Sequence, residues 1–217
     1  GGTAGFGETE VPRNDDGSAQ YDIQPVFQSG LNFFGLNANK MFVNTNGNLT
    51  FNRALGTYTP TGITGNTGTP LIAAFWGDID TRLPAERGAN SAPIFLDLDS
   101  VNDIVTVTWS GVNYYDQNGD KQNFFQMQLF DRGGGDFDIV YRYQDIQWTT
   151  GDASGGTNGL GGTVARAGFS SGDGQNFFEL PQSGNQAGIL DLENIIGNTG
   201  VRGLWVFQVR GGTVAEV

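Results

Sequence analysis

The sequence predicts an all-β fold, an antiparallel β-sandwich of many short strands with long polar loops, as a single domain over 1–217. Three observations point there. Glycine accounts for 35 of the 217 residues and aromatic residues for 12%, 16 of them Phe. Glycine punctuates a chain with turns, while Phe, Val and Ile fill the half-buried faces of pleated sheets. Apolar residues alternate with period two around 104–109 and 137–143, the signature of a strand with one face on a core. No long amphipathic helix, heptad or internal repeat competes with that pattern.

Taken in order, residues 1–24 are polar and read as an extended N-terminal arm, with Asn14-Asp15-Asp16-Gly17-Ser18 as a turn cluster. Lys40–Thr45 and Asn48–Asn52 flank Asn46-Gly47, a hairpin signal because Asn-Gly readily takes positive φ. A Gly, Thr and Pro-rich loop over 56–70 leads into Leu71–Trp76, an unbroken apolar run that reads as a buried strand. A second hairpin joins Pro93–Leu98 to Ile104–Trp109 around Asp99–Asp103. A third joins Phe124–Asp131 to Phe137–Tyr143 through Arg132-Gly133-Gly134-Gly135-Asp136. In the last strand Phe137, Ile139, Tyr141 and Tyr143 line one face, and Asp138, Arg142 and Gln144 the other. The small and polar residues 149–162 predict a long loop, a common place for function. Shorter strands follow at 164–169 and 176–180, and Leu204–Arg210 closes the domain. Residues 189–196 fit a short helix or a strand equally.

Composition narrows function. With no His and no Cys there is no Ser-His or Cys-His nucleophile and no histidine zinc site. A bound metal must take oxygen ligands, which favours calcium or magnesium. The missing Cys does not fix the redox compartment. A net charge of −12 argues against nucleic acid and anionic membranes as partners. No apolar run is long enough to insert into a membrane. The opening Gly1-Gly2, without Met, reads as a mature form or an excised fragment.

The main site candidate follows the buried strand, in Gly77-Asp78-Ile79-Asp80-Thr81-Arg82. In an extended strand Asp78 and Asp80 share a face, where two like charges repel unless a cation, an Arg or solvent compensates. Asp15 and Asp16, from the turn cluster, would complete a calcium shell. The alternative is a strand end, with Asp78 accepting backbone N–H bonds and Asp80 paired to Arg82. Asp116-Gln117-Asn118-Gly119-Asp120 resembles a calcium loop, but its Gly is one place early and no Glu closes it; a hairpin turn at Asn118-Gly119 explains it. Asp152 and Asn158 lie in a flexible acidic loop suited to partner contact, calcium or plain solvation. Trp76, Trp109 and Trp205 sit in apolar strands and read as core. Trp148 precedes the polar loop and reads as half exposed, able to stack on a sugar or anchor a partner, as Tyr114 and Tyr115 could. The glutamates occupy no recognisable catalytic context for glycoside hydrolysis. The Asn48-Leu49-Thr50 glycosylation pattern lies inside a predicted strand and reads as chance.

Several blocks, in order, resemble one family. They are Asn14–Ser18, Val43–Phe51, Ala74–Arg82, Asn123-Phe124-Phe125-Gln126, Phe137–Tyr143, Ile146-Gln147-Trp148 and Ala167-Gly168-Phe169. Together they are similar to the NIDO (nidogen-like) domain over about residues 5–210. The run Thr150–Gly162 looks like the family's bacterial branch. The resemblance implies an extracellular, adhesive or matrix-type module with no catalytic residues to carry over, whose partner is an extracellular protein or glycan. The alternative is a self-assembling structural subunit, with copies of itself as partner, using the N-terminal arm to add a strand to a neighbour. An acidic-residue glycoside hydrolase is the third reading.

Overall fold

The computed structural model describes residues 7–65 and 67–215. Its strands are β1 (Thr9–Val11), β2 (Ser18–Asp22), β3 (Leu31–Phe33), β4 (Leu36–Ala38), β5 (Lys40–Asn44), β6 (Asn48–Thr50), β7 (Leu71–Trp76), β8 (Ile79–Asp80) and β9 (Arg87–Gly88). They continue as β10 (Ile94–Asp99), β11 (Ile104–Tyr114), β12 (Asn118–Gly133), β13 (Asp136–Ile146), β14 (Arg166–Ser170), β15 (Phe177–Glu179), β16 (Leu204–Arg210) and β17 (Thr213–Ala215). A 3₁₀ turn spans Asp152–Ser154, and one helical turn, α1 (Gln186–Ile189), ends where the ambiguous stretch 189–196 begins. Residues 190–195 form turns and a bend, and Ile196 bridges to Arg202, so that stretch is neither the helix nor the strand expected.

Two sheets form the sandwich. One runs β1-β10-β11-β12-β13-β16-β17, with β8 and β9 added on β11 and β12; the other runs β15-β14-β7-β6-β5-β2. The three expected hairpins are present as β5–β6, β10–β11 and β12–β13. At Asn46-Gly47 only Gly47 has positive φ, +84°. A Cβ there would lie 1.7 Å from the carbonyl oxygen of Phe75, so the close approach of β7 demands glycine.

Both sheets close on an aromatic core. Trp109 stacks on its cross-strand neighbour Phe125 at 4.9 Å, and Phe33 meets Phe137 edge-on at 6.1 Å. The hydroxyls of Tyr143 and Tyr141 donate across the sandwich to the carbonyls of Ala74 (2.6 Å) and Gly168 (2.7 Å). Strand β7 is buried at all six residues because its outer face is covered too: Leu71, Ala73 and Trp76 pack with Leu55 and Ile63 of the loop expected over 56–70 and its approach. Trp76, Trp109 and Trp205 are buried.

Two expectations are corrected. The N-terminal stretch is not a free arm from residue 9 onward. Strand β1 pairs with β10 at the edge of one sheet and β2 with β5 at the edge of the other. Val11 is buried and Ala19 and Tyr21 pack on the core, so alternation drives this segment onto the sandwich. Residues 1–6 of that stretch lie outside the described residues. The β11–β12 turn falls on Tyr115-Asp116-Gln117, not on Asn118-Gly119. Both of those are already in β12, where a Cβ on Gly119 would lie 1.8 Å from the carbonyl oxygen of Ala89.

Candidate metal centre

After β7 the chain crosses from one sheet to the other. Gly77 and Asp78 make the crossing, and β8 then pairs with β11. Gly77 fits because a Cβ would stand 2.9 Å from the Phe75 ring. Asn46 braces the corner: its carbonyl accepts from Gly77 N at 3.2 Å and its side-chain Oδ1 from Ile79 N at 2.9 Å. Its Nδ2 donates to Asp16 Oδ1 at 2.9 Å. The turn between β1 and β2 is tied to the same corner through Asn14, whose N–H donates to Thr81 Oγ1 and whose carbonyl accepts from Thr81 N, at 2.8 and 2.9 Å.

This construction brings Asp15, Asp16 and Asp78 together, with one carboxylate oxygen of each within 4.8 Å of the others. Asp78 is 1% exposed, Asp15 half-buried and Asp16 open to solvent. Asp78 Oδ2 and Asp15 Oδ1 are buried with no hydrogen-bond partner. Two unit charges that close repel by about 3 kcal/mol at an effective dielectric of about 20. Burial, and then the neighbouring carboxylates, push Asp78 up to about 8 and Asp15 up to about 7; burial also raises Asp16. A hard cation surrounded by oxygens would remove that penalty.

Asp80 does not join the trio, which corrects the expected four-residue set. The strand breaks at Gly77, so Asp78 and Asp80 are not neighbours on one extended face. Asp80 is fully buried and saturated: Oδ1 accepts from Arg82 N and Nε at 3.0 and 2.9 Å, and Oδ2 from Arg82 Nη2 and Gln117 N at 2.5 and 3.0 Å. The same guanidinium reaches Asp116 at 2.9 Å and Asp15 Oδ2 at 3.3 Å, and lies 5.8 Å from the Tyr115 ring centroid.

The four expected contact residues divide. Trp148 is fully buried, which corrects the half-exposed expectation. Its indole N–H donates to Val112 O at 3.1 Å, and its ring meets Phe75 edge-on at 5.0 Å. Tyr114 is buried as well; its hydroxyl donates to Asp120 at 2.7 Å and accepts from Arg87 at 3.0 Å, and burial holds its acidity well below that of a free phenol. Neither offers a face to a partner. Tyr115 is half-buried and Asp152 exposed. The loop around Asp152 is pinned at many points: Asp152 N donates to Tyr115 O at 2.9 Å, Asn118 Nδ2 to Asp152 Oδ2 at 3.2 Å, and Arg87 to Asn158 at 3.0 Å. Asn118, Asp152 and Asn158, with Glu86, Arg87, Gly156 and Thr157, line a shallow polar cleft of about 630 Å³.

Two residues went unnoticed in the sequence. Asn46 was read only as a turn residue, although it bridges Asp16 to the crossing. Gly151 was one small residue among many, yet a Cβ on it would lie 2.6 Å from Asp78 Oδ2. No local signal marks either role.

Comparison with known proteins now adds to this geometry. The family profile of the nidogen-like domain matches residues 39–92 and 93–211. Alpha-tectorin of Mus musculus is 34% identical, over 94% of this chain and 10% of its own length. Nidogen of Drosophila melanogaster is 30% identical, over 82% of this chain and 14% of its own length. Dendrite extension defective protein 1 of Caenorhabditis elegans is 28% identical, over 94% and 17%. The chain thus spans about a tenth of the length of the curated alpha-tectorin relatives it matches. These relatives are animal proteins and lend no support to the bacterial-branch likeness of Thr150–Gly162. No solved structure matches.

Proposed function

The chain belongs to the nidogen-like domain family, and from that premise we propose that it is an adhesion module whose loop face binds another extracellular protein. Its alpha-tectorin and nidogen relatives are non-enzymatic extracellular matrix proteins, and the domain is likewise extracellular and non-catalytic. One observation carries the reading: loops distant in sequence meet as one polar face, with carboxylates beside Arg82 and Arg87, at one end of the sandwich. Tyr115, Asp116, Glu86, Asp152 and Asn158 present it, and hydrogen bonds from Glu86 N to Gln117 O and from Asp152 N to Tyr115 O join its parts, both 2.9 Å. Loops held on a rigid scaffold are where recognition residues concentrate. Calcium is the stabilising ion in this reading, since Asp15, Asp16 and Asp78 offer only oxygen ligands.

The test is capture on the immobilised domain from an extracellular matrix preparation, run beside a glycan array. A protein partner is expected that is lost with Tyr115→Ala combined with Asp152→Ala. It should be kept with Val101→Ser in the β10–β11 turn at the far end, where Val101 is 87% exposed. Loss on Val101→Ser alone, or binding confined to the glycans, would reject the reading.

Self-assembly is the second reading, favoured by β15 and β17, the edge strands on one side of the sandwich. They border an apolar groove of about 540 Å³ lined by Phe34, Phe169, Phe178, Trp205 and Phe207, with Phe177 exposed on its rim. Light scattering at high protein concentration decides it: a strictly monomeric mass removes this reading.

A further inference from the structure

We propose that Asp15, Asp16 and Asp78 form a calcium clasp that holds the recognition face in its binding shape. The proposal rests on the reading of that face as the binding surface, and extends it to the control of binding by an ion.

The clasp is more than a cluster of acids. Asp78 is 1% exposed, and its Oδ2 has no donor although it lies against Gly151, where even a methyl group would come within 2.6 Å. Asp15 Oδ1 is buried and unpartnered as well. The Arg82 guanidinium is spent on Asp80, Asp116 and the other oxygen of Asp15, and that of nearby Arg13 on the carbonyls of Thr81 and Ser91; among the described residues neither makes an ion pair with Asp78. A buried carboxylate with no partner is stable only beside a cation or in neutral form.

The donor set points to calcium. Its oxygen ligands stand at about 2.3–2.6 Å, so two of them on opposite sides of the ion are about 4.6–5.2 Å apart, and three oxygens within 4.8 Å of one another lie inside that span. Calcium takes several carboxylates in flexible geometry, whereas magnesium keeps most of its water and binds through one or two, fewer than the three offered here. Exposed Asp16 marks the open side, where water completes the shell and the ion enters.

The position gives the clasp its leverage. Asp15 and Asp16 come from the turn before β2, and Asp78 from the crossing between the sheets. The carbonyl of Asp78 accepts from Tyr115 N at 3.0 Å, and its side chain abuts Gly151 at the root of the Asp152 loop. One ion therefore joins the segments that carry Tyr115 and Asp152. Without it, the three crowded carboxylates must either repel one another or take up protons, and in both cases the tie between those segments is lost.

Calorimetric titration of the chelator-treated domain with calcium chloride alone, and melting curves in the same buffers, test the clasp. The domain is expected to bind one calcium and to melt higher with it, magnesium giving a weaker response. Asp78→Asn keeps the shape and removes the charge. It is expected to weaken calcium binding by more than about tenfold and to melt above the chelated parent domain, whereas a merely structural Asp78 would make the variant melt below it. Asp99→Asn, a surface control, leaves the calcium response intact. No calcium binding, an equal response to magnesium, or an unchanged response in Asp78→Asn overturns the clasp. Partner capture is then compared in calcium and in chelator. Capture that ignores calcium, in a domain that binds it, overturns the control of binding but not the recognition face. Ion binding with no capture under either condition rejects the face, and with it the control, while leaving the ion site standing.

Discussion

Asp78 and Asp80 are two residues apart and meet opposite fates. Asp80 receives four donors, two of them from the Arg82 guanidinium; Asp78 Oδ2 receives none. Arg82→Ala should therefore cost about 2–4 kcal/mol, because it strands a buried carboxylate, and urea unfolding would measure the loss. A loss below about 0.5 kcal/mol would mean that Gln117 N and solvent suffice. Titration gives a second residue-scale prediction. On the edge strand β10, Asp97 is raised to about 6, first by its hydrogen bond to Glu8, while Glu8 itself is lowered, so the pair holds one shared proton. A raised carboxyl binds its proton more tightly in the folded chain, so its contribution is complete below the unfolded value of 3.8 and is lost as pH rises through about 6. Melting temperatures at pH 5 and pH 7 should show that fall in the parent domain and a smaller one in Asp97→Asn. Local sequence announced the carboxylates and, as the alternative reading, the pairing of Asp80 with Arg82, but not the remote donor Gln117 N. The burial of Trp148 was hidden for the same reason, since its acceptor, Val112 O, lies 36 residues away.

Strands were legible where one face met the core and a turn was marked. The alternation of 137–143 reappears as buried Phe137, Ile139, Tyr141 and Tyr143 against exposed Arg142 and Gln144, although Asp138 on the second face is buried, paired with Arg132 and Arg210. The end of β7 at Trp76 was read correctly. What failed were the crossing at Gly77 that parts Asp78 from Asp80 and the placement of Asn118-Gly119 inside β12, because both depend on chain passing close by, which residue order does not display. Asn123 shows how such an end is made. Beyond β13, the side chain of this buried residue replaces a strand: Oδ1 accepts from Gln147 N and Trp148 N at 2.8 and 3.1 Å, and Nδ2 donates to Trp148 O at 3.0 Å. Asn123→Ala leaves two backbone N–H groups and a carbonyl unpaired, so a loss of about 2–4 kcal/mol is expected, or roughly 4–16 °C in melting temperature for a domain of this size. Amide exchange should quicken at Gln147 and Trp148 first. Protection that stays high at those two amides while global stability falls would place the cost in packing instead.

At the scale of the molecule, two forces set the design. Aromatic packing and the phenol bridges of Tyr141 and Tyr143 pull the sheets together, while a net charge of −12 pushes the surface outward. The sign of that charge was plain in the sequence, and the meeting of Asp15 and Asp16 with Asp78 was expected from it; the route was not legible, because Asp15 and Asp16 reach Asp78 only once β1 and β2 have taken opposite sheets. Diffuse repulsion and a local clasp respond differently to salt. Raising monovalent salt from about 0.01 M to about 0.15 M shortens the screening length from about 30 Å to about 8 Å. Distant charges are then screened, but oxygens within 4.8 Å of one another, partly shut off from solvent, are not. The chelated domain should accordingly melt a few degrees higher across that range, roughly 1 kcal/mol at about 2–4 °C per kcal/mol, while the further rise produced by calcium persists at the higher salt. A calcium effect that disappears at about 0.15 M salt would mean that the ion acts on the whole surface rather than at one corner of it.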